Sequence, residues 1–490
     1  MHNSIQQFME QGIVNIEKII KNFTSNEKMD IGELVLELNK PLQELQRDLV
    51  KETIESIDEV YRSSSYRKDK YVIERSKDEN SFTSTCGLIT YQRTYFKNKD
   101  TGEFIHLADA ACGITKKMRK SDDVVAKGLE HVVDSSYRIS GENATATEDI
   151  ISKQAIMKDV HDLEIPAIIP SVKEKRKKKV LYINADEDHV SLQFQKEKGD
   201  LKVNMYGYKS NTIEPRLACI FEGIEKETDY GKRNKLINKH YFSGVYRKSE
   251  DIWVEVLEYI DAVYEEEYLE HIYIMGDGAS WIKSGVDVLG EKCSFILDKF
   301  HLNQSIMRSI AHMGDSVWDV RRAIYDGIRM EDLEVVNEVF NTAAYYAEGD
   351  AKKEQIRRTK VYIKNQWEGI IKPNTDKNAR MGCSAEGQVS HILSARLSSR
   401  PLGWSKKGVA QIAKLRAYAA NNGNIYDLLK YRTEKQERII QEEIKEEIDR
   451  KIKKKQKTYH DVWNHNTVAG SLGKVDGMYC LTKKLRGICG

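Results

Sequence analysis

Between Val180 and His301 the spacing of apolar residues changes period in a fixed order, and that order limits the folds open to this chain more than any other feature. "VLYINADEDHVSLQF" (Val180 to Phe194), "RLACIFEGI" (Arg216 to Ile224) and "HYFSGVY" (His240 to Tyr246) read as strands. An amphipathic helix over Asp251 to Tyr264 follows, then the strand "HIYIMGDG", a further helix, and "CSFILDKFH" (Cys293 to His301). Three strands in succession, then helix alternating with strand, describe an α/β fold with a mixed sheet.

The flanks are mainly helical. Residues 302–380 read as a helical insertion, and Ser384 to Leu397 as one more helix. Near the start, Leu38, Leu42, Leu45 and Leu49 recur at helical spacing, with Pro41 expected in a first turn. "FTSTCGLITYQRTYF" (Phe82 to Phe96) turns β-like and, with the turn "KNKDTG" and the segment "EFIHL", predicts a hairpin. In Ser135 to Leu163 a helix ends near Gly141, a polar connection follows, and a second helix opens at Ser152 with Ile156 and Val160 on one face. That pattern resembles a helix-turn-helix whose Lys153 and Lys158 would meet DNA, although plain packing of a capped amphipathic helix is the commoner explanation. The expected domains are 1–75, helical; 76–120, a β-hairpin region; 121–172, helix-turn-helix-like; 173–179, a basic linker; 180–410, catalytic; and 411–490, helical and basic. Within the last, Ile440, Ile444, Ile448 and Ile452 predict a long exposed helix.

Charge narrows the partners. The net charge is only +2, yet 31% of the residues are charged and the cations are bunched in Lys173 to Lys179 and Arg450 to Lys457. Such runs displace counterions from a nucleic-acid backbone, or serve as solvated surface; Lys175, Arg176, Lys177 and Lys178 are the candidates in the first. Seven cysteines stand singly without a CxxC pair, which argues against a disulfide scaffold or a cysteine-rich zinc module. No long apolar run or signal-peptide layout is present, so no membrane partner is expected and the cytoplasm is the expected compartment.

Three acids stand where an acid is costly. Asp186 follows "VLYINA", and Asp277 ends "HIYIMG" between Gly276 and Gly278, whose missing side chains would let a cation and a polyanion approach. Glu386, in "CSAEGQVSHILSARLSSRPLGWS", shares a helical face with Val389 and Leu393 and is therefore expected on the buried side. Carboxylates of this kind suit two Mg²⁺ or Mn²⁺ ions about 4 Å apart, which would activate a water or a 3′-hydroxyl for in-line attack on a phosphodiester. Asp188 keeps the face of Asp186 and is the reserve for the first acid. Asp298 and His301, after the next strand, are supporting candidates, with a capped helix start as the plainer alternative. Arg396 and Arg400 would clamp phosphate and Trp404 would stack a base; a core tryptophan and surface arginines are the commoner explanation.

"ADEDH", "GDGASWI", "LDKFHLN" and the Glu386 segment, in this order and with a helical stretch before the last, resemble the transposases of the ISLre-two group of bacterial insertion sequences, relatives of the mutator-like DDE enzymes. The resemblance implies an RNase H-like core with a helical insertion, and catalytic acids at Asp186, Asp277 and Glu386. It also implies cleavage at transposon ends, attack of the freed 3′-hydroxyl on target DNA, double-stranded DNA as partner, homo-oligomers on DNA, and a nucleoid-associated place in the cytoplasm. Two rivals remain: a metal-dependent glycosyltransferase using the DxD of Asp186 and Asp188, and a non-catalytic DNA-binding regulator.

Overall fold

A helical arm and a hairpin precede the central sheet. Helix α1 (Ile13–Ser25) packs against the long helix α2 (Ile31–Ser63), whose N-cap Asp30 accepts from the Gly32 and Glu33 amides. Pro41 lies inside α2 rather than in a first turn. The missing amide is tolerated because Pro41 is buried against the arm, so packing offsets the lost backbone bond. Strands β1 (Tyr71–Ser84) and β2 (Gly87–Asn98) pair antiparallel, Ser84 opposite Gly87. The β-like run expected as one strand from Phe82 to Phe96 is thus folded back on itself at Thr85 and Cys86, with Gly87 at φ +102° closing the turn. Asp58 of α2 accepts from the Thr94 amide and hydroxyl, fastening the helix to the hairpin.

Helices α3 (Asp122–Val132), α4 (Tyr137–Glu142) and α5 (Lys153–His161) pack on one another. Ser152 caps α5 by accepting from the Ala155 amide. Gly141 is obligatory between α4 and α5: a Cβ there would lie 1.9 Å from the Ile151 carbonyl oxygen. Ile156 and Val160 are buried while Lys153 and Lys158 are exposed, as the pattern predicts.

The central sheet is built from β3 (Val180–Glu187), β4 (Arg216–Phe221), β5 (His240–Gly244), β6 (His271–Gly276) and β7 (Cys293–Leu297). Helix α6 (Asp251–Val263) joins β5 to β6, and α7 (Ser280–Leu289) joins β6 to β7. The order across the sheet is β5-β4-β3-β6-β7; β4 is antiparallel to both its neighbours, and β3, β6 and β7 are mutually parallel. The chain is therefore a mixed α/β protein with a five-stranded mixed sheet. Both faces are covered, which is why these strands read as continuous apolar runs. Leu181, Ile183, Ala218, Ile220, Ile272 and Ile274 pack with Trp253 and Val256 of α6 and Ile282 of α7. On the other face Tyr182, Leu217, Phe221, Tyr273 and Met275 join the core of α3 to α5. Each such aliphatic or aromatic side chain stabilises by about 1.5–3 kcal/mol on burial.

After β7 the chain makes the expected helical insertion: α8 (Lys299–Ile310), α9 (Val317–Arg329), α10 (Leu333–Tyr345), α11 (Asp350–Asn365) and α12 (Trp367–Thr375), with a core of its own around Ile306, Ile324, Phe340 and Ile356. Helix α13 (Ala385–Val389) then runs through a five-residue π turn (Ser390–Ser394) into Ala395–Leu397, and α14 (Lys406–Ala420) packs beside β5. This computed structural model describes residues 3–25, 30–167, 169–170, 172–193, 202–203, 209–231, 233–400 and 402–430. The described residues up to Leu429 form one compact unit. The helix expected around Ile440 to Ile452 and the basic run Arg450 to Lys457 lie outside the described residues.

Candidate active site

Strand register sets the site. Asn184 is level with Met275 and Gly276 with Leu297, so continuing the same parallel pairings brings Asp186, Asp277 and Asp298 into one row at the carboxyl ends of β3, β6 and β7. That edge is where open α/β sheets bind ligands. Period two fixes the direction: Tyr182, Tyr273, Met275 and Ile296 are in the core that contains Val389 and Leu393, and the three acids continue their parity. The charges interact. Burial first, and then the neighbouring charges of Asp277 and Glu187, push the Asp186 carboxyl up to about 6, only partly opposed by the Glu187 amide and by His301. Burial likewise raises Glu187, whose carboxylate accepts from the Trp281 indole.

Glu386 departs from its expectation, for the side chain is exposed. Ala385, Gln388 and Val389 form the buried face of α13, and one residue along a helix turns the side chain by about 100°. The π turn that follows then changes the phase, so burial of Leu393 carries no implication for Glu386. The helix itself is in place. It packs on β3, and Asn184 donates to the Ser384 hydroxyl at 3.0 Å. Beyond the π turn, Ser398 donates to Asp188 Oδ1 at 2.9 Å. Two side chains flanking Asp186 on its own face therefore hold the two ends of the Glu386 segment. Asp188 is buried; its Oδ1 accepts from Ser398 and from the His189 amide, while its Oδ2 has no hydrogen-bond partner among the described residues.

Asp298 caps α8 by accepting from the Phe300 amide, and its own amide donates to the Gly276 carbonyl. The His301 ring nitrogen lies 3.9 Å from its carboxylate, beyond hydrogen-bond range. Burial and the charge of Asp298 push the Cys383 thiol up, so the loop before Glu386 also faces this row. The glycines around Asp277 are explained by protein packing rather than by open access. A Cβ at Gly276 would meet the Ala185 carbonyl at 2.6 Å and Ile282 at 2.7 Å. Gly278 has φ +91° and lies against Gln366. From α11, Tyr362 donates to the Asp277 carbonyl at 2.7 Å, and the neighbouring Gln366 donates to the Gly278 carbonyl at 3.2 Å. Nothing in their sequence neighbourhood signals this role; Asn184 was legible, being two residues before Asp186 on a strand.

The DNA-binding candidates divide. Arg400, Lys153, Lys158, Lys175 and Lys177 are exposed. Arg396 is buried, donates to the Val132 carbonyl and lies over the Trp404 ring at 4.8 Å. Trp404 is buried too and donates to the Leu397 carbonyl. As folded, neither reaches a phosphate or a base; a planar guanidinium stacked on an indole bridges α3 to the segment after α13 instead. Arg176 and Lys178 both pair with Glu222 at 3.0 Å; against burial, a hydrogen bond with Asn238 and then these two cations hold the Glu222 carboxylate below its usual range. The basic run is thus fastened along the sheet domain, with Arg176 also bonded through its backbone to Val263 and Glu265.

A family model described as an uncharacterised protein family, UPF0236, matches residues 24–437. The chain belongs to UPF0236. Relatives in Caldanaerobacter subterraneus subsp. tengcongensis include UPF0236 protein TTE2489, 34% identical over 484 residues, covering 98% of each chain. A second relative there carries a UPF0236 name joining four designations; it is 35% identical over 475 residues, covering 96% of this chain and 95% of its own. A third joins eleven designations in one name and is 35% identical over 477 residues, covering 96% of this chain and 94% of its own. UPF0236 is thus a family with many paralogues in a single genome.

Proposed function

We propose that this UPF0236 protein is a DDE transposase that cleaves DNA strands at insertion-sequence ends and joins the freed 3′-hydroxyl to target DNA, with an RNase H-like catalytic core. The observation that carries the reading is the level pair Asp186 and Asp277 at the carboxyl edge of adjacent parallel strands, with the Asp186 carboxyl raised to about 6 beside the charge of Asp277. The sheet supports it as well, since a first strand at the centre, two antiparallel strands on one side and two parallel strands on the other make the arrangement expected of that core. Multiplication of relatives within one genome is consistent with a mobile-element protein.

The residues fit divalent cations in kind. Asp186 and Asp277 offer carboxylate oxygens, the ligands Mg²⁺ and Mn²⁺ prefer, in a place where burial and the charge of Asp277 raise the Asp186 carboxyl. Among the described residues no three His, Cys, Asp or Glu side chains stand together as a metal-holding group. Asp186 and Asp277 would hold the ions, with Glu386 completing the set from the helix pinned to β3. Bound Mg²⁺ or Mn²⁺ supplies charge compensation for the attacking and leaving oxygens of an in-line displacement. The chain's own part is to keep the acids level, to fix the Asp277 turn through Tyr362 and Gln366, and to hold the Glu386 helix at both ends. The glycosyltransferase reading is disfavoured by the burial of Asp188, whose Oδ1 accepts from Ser398.

The test is incubation of the purified protein with Mg²⁺ or Mn²⁺ and labelled duplex carrying the sequence that flanks its own gene. Nicks at a defined position with a free 3′-hydroxyl support the reading; no cleavage under any metal, with intact binding, turns it toward a DNA-binding regulator.

A further inference from the structure

The helical arm exposes far more apolar surface than a free-standing pair of helices needs. Ile13 and Ile20 on α1 are 41% and 45% exposed, and Ile31, Val35 and Leu42 on α2 are 68%, 53% and 49% exposed. Their spacing is systematic. Ile13 to Ile20 and Val35 to Leu42 are each seven residues apart, and Ile31 to Val35 four, so each set forms one stripe along its helix. On α2 the stripe lies beside the seam of Leu34, Leu38 and Leu45, and on α1 beside that of Ile16, Ile19 and Phe23, all of which are half-buried between the two helices.

Helical geometry places both stripes together. At 100° per residue each is rotated from its seam by roughly 60° in the same sense, and because α1 and α2 are successive helices folded back on one another, equal rotations bring the stripes to the same side of the pair. The result is one broad apolar face two helices wide, the shape of half a four-helix bundle. With about half of each large aliphatic side chain exposed, the five present roughly 450 Å² of apolar surface. That matches the apolar share of a standard interface of about 800 Å² per partner.

We propose that this face is a self-association surface, on which the same α1–α2 pair of a second copy of the chain docks to complete a four-helix bundle. A two-fold axis through the face satisfies the requirement directly, since a self-complementary patch meets its own equivalent; Val14 and Leu36, 59% and 68% exposed, lie off it. The inference is independent of the proposed chemistry and requires no DNA for assembly.

The experiment is sedimentation of the full-length protein without DNA, at concentrations from nanomolar to tens of micromolar, for the wild type, for Val35→Glu with Leu42→Glu, and for Val35→Ile. The wild type and Val35→Ile sediment at twice the chain mass, while the double Glu variant self-associates about 100-fold or more weakly. Circular dichroism and the thermal transition, measured at a concentration where the wild type is monomeric, report whether the variant keeps its fold. A wild type that stays monomeric throughout overturns the proposal, as does a dimer that both glutamates leave intact. A monomeric wild type would assign the face instead to a different protein.

Discussion

Asn184 and Ser384, joined by a 3.0 Å hydrogen bond, stand two residues before Asp186 and two residues before Glu386 respectively. One contact thus sets the distance between a strand and a helix that each carry a proposed catalytic acid. Asn184→Ala or Ser384→Ala is expected to lower the single-turnover cleavage rate by about tenfold or more while leaving the affinity for DNA ends nearly unchanged. Equal losses in rate and affinity would assign the contact to general folding.

Asp277→Asn is expected to abolish strand cleavage with end binding retained, because the amide keeps the shape of the carboxylate but not its charge. The measurement pairs a cleavage gel with a binding isotherm on the same duplex. Unchanged cleavage would remove Asp277 from the site.

Asp186 predicts a pH dependence of stability in metal-free buffer. Its carboxyl is raised from 3.8 to about 6 in the folded chain, so the native state binds more protons than the unfolded one between those values. The contribution of Asp186 to stability is therefore greatest below pH 4 and falls as the pH rises through 6, by about 3 kcal/mol. Asp186→Asn should remove that loss and give a higher Tm at pH 7.5. Mg²⁺ or Mn²⁺ should raise the Tm of the wild type and not that of Asp186→Asn.

His240 predicts an acid limb with the opposite slope. Buried on β5, with its ring stacked on Tyr259 and Asn421 within hydrogen-bond distance, it is pushed down to about 4 by burial. Its contribution is complete above pH 6.5 and is lost as the pH falls from 6.5 through 4, by about 3 kcal/mol. Thermal melts of His240→Gln between pH 4 and 7 should show a flatter acid limb than the wild type.

The basic run offers a graded test of DNA contact. Lys173 and Lys175 are exposed, whereas Arg176 and Lys178 are paired with Glu222. Neutralising Lys173 and Lys175 should reduce the slope of log affinity against log salt by about 1.8 for duplex DNA. Replacing Arg176 and Lys178 should lower the Tm, because the Glu222 side chain, nearly inaccessible to solvent, would lose both cations and keep only neutral partners such as the Tyr264 hydroxyl. No change in slope for the first pair would make the run solvated surface.

The sheet was legible because its strands announce themselves twice, by apolar runs and by the helices between them. Asp186 and Asp277 could be read for the same reason: each directly follows such a run. The hairpin across "KNKDTG" is present, Phe96 opposite Ile105, but the earlier fold-back at Thr85 and Cys86 was missed because "TSTCG" lacks the Asn-Gly or Asp-Gly signature of a two-residue turn; it depends on Gly87 and on packing with α2. Glu386 was read as buried because a uniform helical period was extended through Ser390–Ser394, where the chain takes a π turn. Arg396 and Trp404 are a contact between residues eight apart in a compact turn, and their burial depends on helices more than 200 residues upstream. Tyr362 and Gln366 reach the Asp277 turn from the far end of the insertion, a relation that tertiary packing alone creates.

That last relation changes what the insertion is for. Tyr362 and Gln366 grip the backbone of the turn at Asp277 and Gly278, so this bundle acts as a splint on the strand end rather than as an appendage. A protease cut or a destabilising substitution deep inside it, far from any acid, should silence the proposed strand cleavage while the sheet beneath still stands.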